Sequence, residues 1–92
     1  EPPDPVRSPG LTLARRALSS GGTAPAVLNA ADEEAVRLFL ERKIRFGDLM
    51  PLVGEVLDAH RPAGPLTLES IGEADRWARA RLHEAAVHVM RG

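Results

Sequence analysis

The chain has no cysteine and no tyrosine, and among its 92 residues it carries one tryptophan and two phenylalanines. Without cysteine there is neither a disulfide framework nor a thiol nucleophile, which fits a reducing compartment. So few aromatic rings leave no platform on which nucleotide bases could stack. Charge of one sign is missing too. Twelve basic residues against 13 acidic ones give a net charge of −1, with no basic field for nucleic acid or anionic lipid. No run approaches the roughly 18 apolar residues of a membrane-spanning helix, and no signal-peptide pattern is present. Neither G-x-G-x-x-G nor G-x-x-x-x-G-K occurs, so the common phosphate-cradling loops are absent. No internal repeat or strand-rich stretch competes with a helical reading.

What remains is an alanine- and leucine-rich chain, long enough for one domain. Its first residue is Glu1, not Met, so a longer precursor or a trimmed piece is expected. Glu1-Pro-Pro-Asp-Pro5 is rigid and extended, and residues 1–8 read as a linker from an upstream domain. Residues 9–92 then read as a compact all-α bundle of four helices.

Ser8-Pro9 is a cap and first helical residue for a helix to about Ser20, with Leu11, Ala14 and Leu18 inward. Gly21-Gly22 turns the chain, Thr23 caps the next helix and Pro25 fits its first turn. From Ala24 to about Arg42, Ala24, Val27, Leu28, Ala31, Ala35, Leu38 and Phe39 share a face at helical spacing. Glu33, Glu34, Arg37 and Glu41 cluster opposite, and Asn29, Val36 and Leu40 form a weaker second strip. A helix with two packing sides belongs at the centre of a bundle.

Ile44 and Phe46 read as an extended connection pushing two apolar side chains inward. A third helix begins at Gly47-Asp48 with Pro51 in its first turn, and buries Leu49, Leu52, Val53, Val56 and Leu57. Gly54 in that helix suggests close helix approach, and Arg61-Pro-Ala-Gly-Pro65 breaks it. The fourth helix is expected from Ser70, because Ser70-Ile-Gly-Glu73 has capping-box spacing; Thr67-Leu68-Glu69 could add a turn before it. Ile71, Ala74, Ala78, Leu82, Ala85 and Val89 form its inward stripe.

No set of residues reads as catalytic, cofactor-binding or metal-binding. Asp32, Glu33 and Glu34 are consecutive, so on a helix they diverge by about 100° each and form a solvated face. Asp32 alone borders the apolar arc, three residues after Asn29, and is expected to make a local hydrogen bond. His83 and His88 are too far around the helix to act together. Glu84 and His88 could ligate a metal only with partners that have no obvious source, so both read as a solvated helix end. His60 is expected to cap the third helix as a cation at its dipole. Asp75 lies in the fourth stripe with Arg79 one turn on, an i,i+4 ion pair. Trp77 projects away from that stripe, either over the segment around Pro2–Val6 or against a surface outside the chain.

The wording of Gly21–Val36, Ile44-Arg-Phe-Gly-Asp-Leu49 and Leu68–Arg79 resembles the 1-deoxy-D-xylulose-5-phosphate reductoisomerase family, in its C-terminal helical domain. The match runs in order from Asp4 to Arg79. The family's usual Asn-Ala-Ala-Asn-Glu stands here as Asn29-Ala-Ala-Asp-Glu33, Gly47 replaces a common Thr, and Pro51 is one position late. The resemblance implies a cytoplasmic enzyme of isoprenoid precursor synthesis in the methylerythritol phosphate pathway. It would use NADPH and Mg²⁺ or Mn²⁺, held by upstream domains with no counterpart here. This piece would be inactive by itself and would pack on the parent's catalytic domain, with Trp77 a possible contact and an oligomer of the parent possible. A free-standing interaction module of shared ancestry is the alternative; a helix-turn-helix DNA binder is disfavoured by charge.

Overall fold

A computed structural model describes residues 9–62 and 64–90, and within them every regular element is helical. The helices are α1 (Pro9–Ser20), α2 (Ala24–Leu40), α3 (Phe46–Ala59) and α4 (Leu68–Met90). The expected linker 1–8, the Ser8 cap and any contact of Pro2–Val6 with Trp77 lie outside the described residues.

The central helix is α2. It packs on α1, α3 and most extensively α4, whereas α1 reaches only α2 and α3. Its buried face is Ala24, Val27, Ala30, Ala31, Glu34, Ala35 and Leu38. That arc is turned from the expected one: Leu28 and Phe39 lie at its edge, and Ala30 and Glu34 are inside. The turn follows from α4, which offers small side chains at Ala74, Ala78, Ala85 and Ala86 and so lets α2 come in on its own alanine side.

Both turns around α2 carry left-handed backbone. Gly21 and Gly22 have φ of 68° and 55°, open to glycine without steric cost. At the other end Arg42 takes φ 62°, while Arg42 N–H donates to Phe39 O and Lys43 N–H to Leu38 O, a Schellman closure without glycine.

α3 buries Leu49, Leu52, Val53, Val56 and Leu57 as its spacing predicts. It starts at Phe46, one residue before the expected Gly47, so Pro51 falls in its second turn. Phe46 therefore belongs to a helix start and is 74% exposed, contrary to the expected inward alternation; only Ile44 enters the core. In α1 the seam is Leu13 and Ala17, while Leu11 and Ala14 are half-buried and Leu18 is exposed. A short helix with apolar residues on two sides offers two seams 120° apart, and the position of α3 selects one. Gly54 faces that seam, but a Cβ there would meet Leu13 Cδ2 at 3.6 Å, ordinary contact, so the glycine is not needed for close approach.

α4 begins at Leu68, not Ser70. Ser70 N–H donates to Thr67 Oγ1 (3.0 Å) and Thr67 N–H to Ser70 Oγ (2.9 Å), so the reciprocal box joins Thr67 to Ser70 instead of Ser70 to Glu73. Ala74, Ala78, Leu82 and Ala85 are buried as expected, joined by Ala86; Ile71 and Val89, at the helix ends, are exposed.

Candidate functional site

The largest concentration of chemistry-bearing side chains lies on the seam between α2 and α4. Glu34, expected on a solvated face, is 7% exposed. A carboxylate is tolerated there because three donors surround it. Arg37, one turn on, and His83 Nε2, across the seam, both reach Oε2, and Arg79 Nη1 lies 3.5 Å from Oε1. The Arg37 guanidinium holds the Glu34 carboxyl down at about 2; the His83 contact adds to this, and burial opposes both.

Arg79 extends the network. Its Nε donates to Asp75 Oδ1 at 2.8 Å, the pair expected from spacing, and its Nη2 to Glu33 Oε1 at 3.0 Å. Asp75 is held below its ordinary carboxylate range chiefly by that bond, and Arg79 is raised in return. Arg37 Nη1 also donates to Glu41 at 2.6 Å. His83, which spacing separates from His88, is thus part of an interhelical cluster.

Asn29 donates to Glu33 Oε2 at 3.3 Å. Asp32, expected to bond locally, makes no hydrogen bond among the described residues and lines an open groove between α1 and α2. Its floor is Leu13, Ala17, Leu28 and Met50. Glu84 and His88 are exposed. Among the described residues no group of three or more His, Asp or Glu is placed to hold a metal ion.

A second polar contact closes the α3 end. His60 follows α3, but its ring Nε2 meets Thr23 Oγ1 at 2.9 Å. Thr23 consequently gives no side-chain cap to α2. Burial, with Arg61 nearby, pushes the His60 ring below its ordinary value, favouring the neutral form over the expected dipole-capping cation. Trp77 is 37% exposed and lies beside His60, its ring 5.6 Å from that of His60 and inclined by 44°. The indole therefore flanks the core on the α3 side and does not point directly away from it.

Chemically, the α2–α4 cluster is a set of acids already matched to cations. Glu34 is ionised and triply coordinated, which suits orientation of helices and not proton transfer at neutral pH. Sequence reasoning missed it because Glu34 lies between Glu33 and Ala35 in a stretch that spacing assigns to solvent; the only available signal was His83 on another helix. Among the described residues no helix is long and apolar enough to cross a membrane.

Comparison with known proteins gives one consistent answer. A family model described as the DXP reductoisomerase C-terminal domain matches residues 1–81. The chain is 52% identical over 91 residues to 1-deoxy-D-xylulose 5-phosphate reductoisomerase of Thermomicrobium roseum, covering 98% of this chain and 24% of that protein. Against the enzyme of Chlorobium chlorochromatii it is 53% identical over 79 residues, covering 86% of this chain and 21% of the relative. The solved structure of the Zymomonas mobilis enzyme in complex with NADPH matches with a TM-score of 0.86 and 44% identity, over 94% of this chain and 23% of that one. The chain thus spans about a quarter of the length of the relatives it matches.

Proposed function

Since the chain belongs to the DXP reductoisomerase C-terminal domain family, we propose that it acts as the structural helical domain of an NADPH-dependent 1-deoxy-D-xylulose 5-phosphate reductoisomerase. The parent rearranges the sugar phosphate and reduces the product, in the cytoplasm, with a divalent metal. Residues 9–92 form the domain and residues 1–8 lead into it. The observation that carries the reading is coverage: identity near 50% over nearly all of this chain falls on only about a quarter of each relative.

In this reading the chain supplies no catalytic, cofactor or metal-binding residue. The acids of the α2–α4 seam are engaged by Arg37, Arg79 and His83, so they do not fit a divalent ion. The Gly21-Gly22 turn, followed by a Thr23 whose hydroxyl is taken by His60, does not fit a dinucleotide phosphate. Both groups are assigned to upstream domains. The contribution of this domain is packing against the catalytic domain, which limits how that domain's walls move.

Deleting residues 9–92 from the full-length polypeptide tests this. Turnover of 1-deoxy-D-xylulose 5-phosphate and the melting temperature should both fall, while the isolated domain turns over nothing. A truncated enzyme of normal stability and rate would refute the proposal.

A further inference from the structure

Among the described residues, one end of the bundle exposes apolar side chains where a small domain would be expected to close. Leu40 and Phe46, which flank the α2–α3 turn, are 72% and 74% exposed, and Val89 and Met90 at the end of α4 are exposed as well. The turn between α2 and α3 links these residues. Phe46 meets Phe39 edge-on at 5.6 Å, and Arg42–Arg45 form one shallow depression of about 440 Å³ with Asp48, His88, Val89 and Met90. The rim is basic. Lys43 pairs with Glu41 at 3.2 Å, but Arg42 and Arg45 meet no carboxylate within ion-pair distance among the described residues. Asp48, three residues after Arg45, has one carboxylate oxygen engaged by the Arg45 backbone N–H at 2.9 Å.

We propose that this end, Leu40, Phe46, Val89 and Met90 between Arg42 and Arg45, is the face on which an upstream domain of the same polypeptide docks, through an apolar segment flanked by carboxylates. The proposal rests on the reading above and names the surface it requires. Two observations choose the occupant. The first is the path of the chain: a Cβ on Gly10, at the start of α1, would lie 3.7 Å from Met50 Sδ, one turn beyond Phe46. In the relatives about three-quarters of the polypeptide lies outside the matched part, and α1, the first described helix, begins at this end of the bundle. The opposite end also exposes Leu66 and Leu68, but there the α1–α2 and α3–α4 loops meet, with Gly22 against Pro62. The second observation is charge. Among the described residues neither arginine has a carboxylate partner, and two such cations on an apolar face disfavour a second copy across a twofold axis and attract an acidic partner.

The test is hydroxyl-radical footprinting of the native full-length polypeptide, read by mass spectrometry and normalised to the unfolded chain at two protein concentrations. Phe46 and Met90 should label at least tenfold more slowly than Leu68, equally at both concentrations. Leu40→Glu with Phe46→Glu should restore rapid labelling at Met90 while Leu82, in the core, stays protected; if Leu82 becomes labelled, Arg42→Glu with Arg45→Glu replaces it and must raise Met90 labelling several-fold. Labelling of Phe46 and Met90 as fast as Leu68 overturns the proposal, and so does protection that appears only at high concentration, which would mean a second copy. Fast labelling in a protein whose 9–92 deletion is still inactive removes this face alone; normal activity after deletion removes the underlying reading.

Discussion

Glu34 has its carboxylate drawn between two helices by Arg37, Arg79 and His83. Removing it would leave three cationic or polar groups facing each other, although each is at least a third exposed and can recruit water. Glu34→Gln should therefore cost about 1–3 kcal/mol, by weakening charge-assisted bonds at a buried site. Urea unfolding would show it as a lower midpoint with an unchanged slope. Leu82, fully buried at the centre of α4, should cost roughly 2–5 kcal/mol as Leu82→Ala, through cavity formation. Ala31→Leu, at a fully buried position of α2, should cost roughly 1–3 kcal/mol by overpacking. Thermal melts that showed no loss in either variant would contradict the burial described here.

Among the elements, α3 holds the clearest opportunity for stabilisation. Gly54 is helical and its missing Cβ would make ordinary contact with Leu13. Gly54→Ala should raise stability by about 0.5–1 kcal/mol through helix propensity, seen as a higher melting temperature. α4 supplies the converse case. Thr67→Ala removes the acceptor for Ser70 N–H, and a loss of about 1 kcal/mol is expected, whereas Glu73→Ala should do little. That contrast separates the observed box from the one spacing suggests.

For the molecule as a whole, acid is the informative variable. Glu34 has a folded value of about 2 against an ordinary 4.5, so the unfolded chain takes up the proton first. Its contribution is complete above about pH 4.5 and is lost as pH falls toward 2, amounting to at most about 3 kcal/mol. His60, lowered below its ordinary 6.5 by burial, adds an earlier loss in the same direction, beginning as pH drops under that value. Denaturation midpoints measured from pH 7 to pH 2 should thus decline in two stages. Glu34→Gln should diminish only the lower one, to which Asp75 and Glu41, also lowered, contribute.

Four helices and their order were legible from spacing, capping residues and the Gly-Gly and Pro-Gly breakers, because these signals act within a few residues of chain. The inward set of α3 was legible in full, since one dense apolar stripe leaves no second choice. The Asp75–Arg79 pair was legible for the same local reason. What tertiary packing decided was rotation and partnership. It set which side of α1 is the seam, it turned α2 until Ala30 and Glu34 were inside, and it took Thr23 from its cap to His60. Each outcome depends on groups 37 to 49 residues away in the chain, and no pattern within one helix encodes the donor that a distant helix will bring.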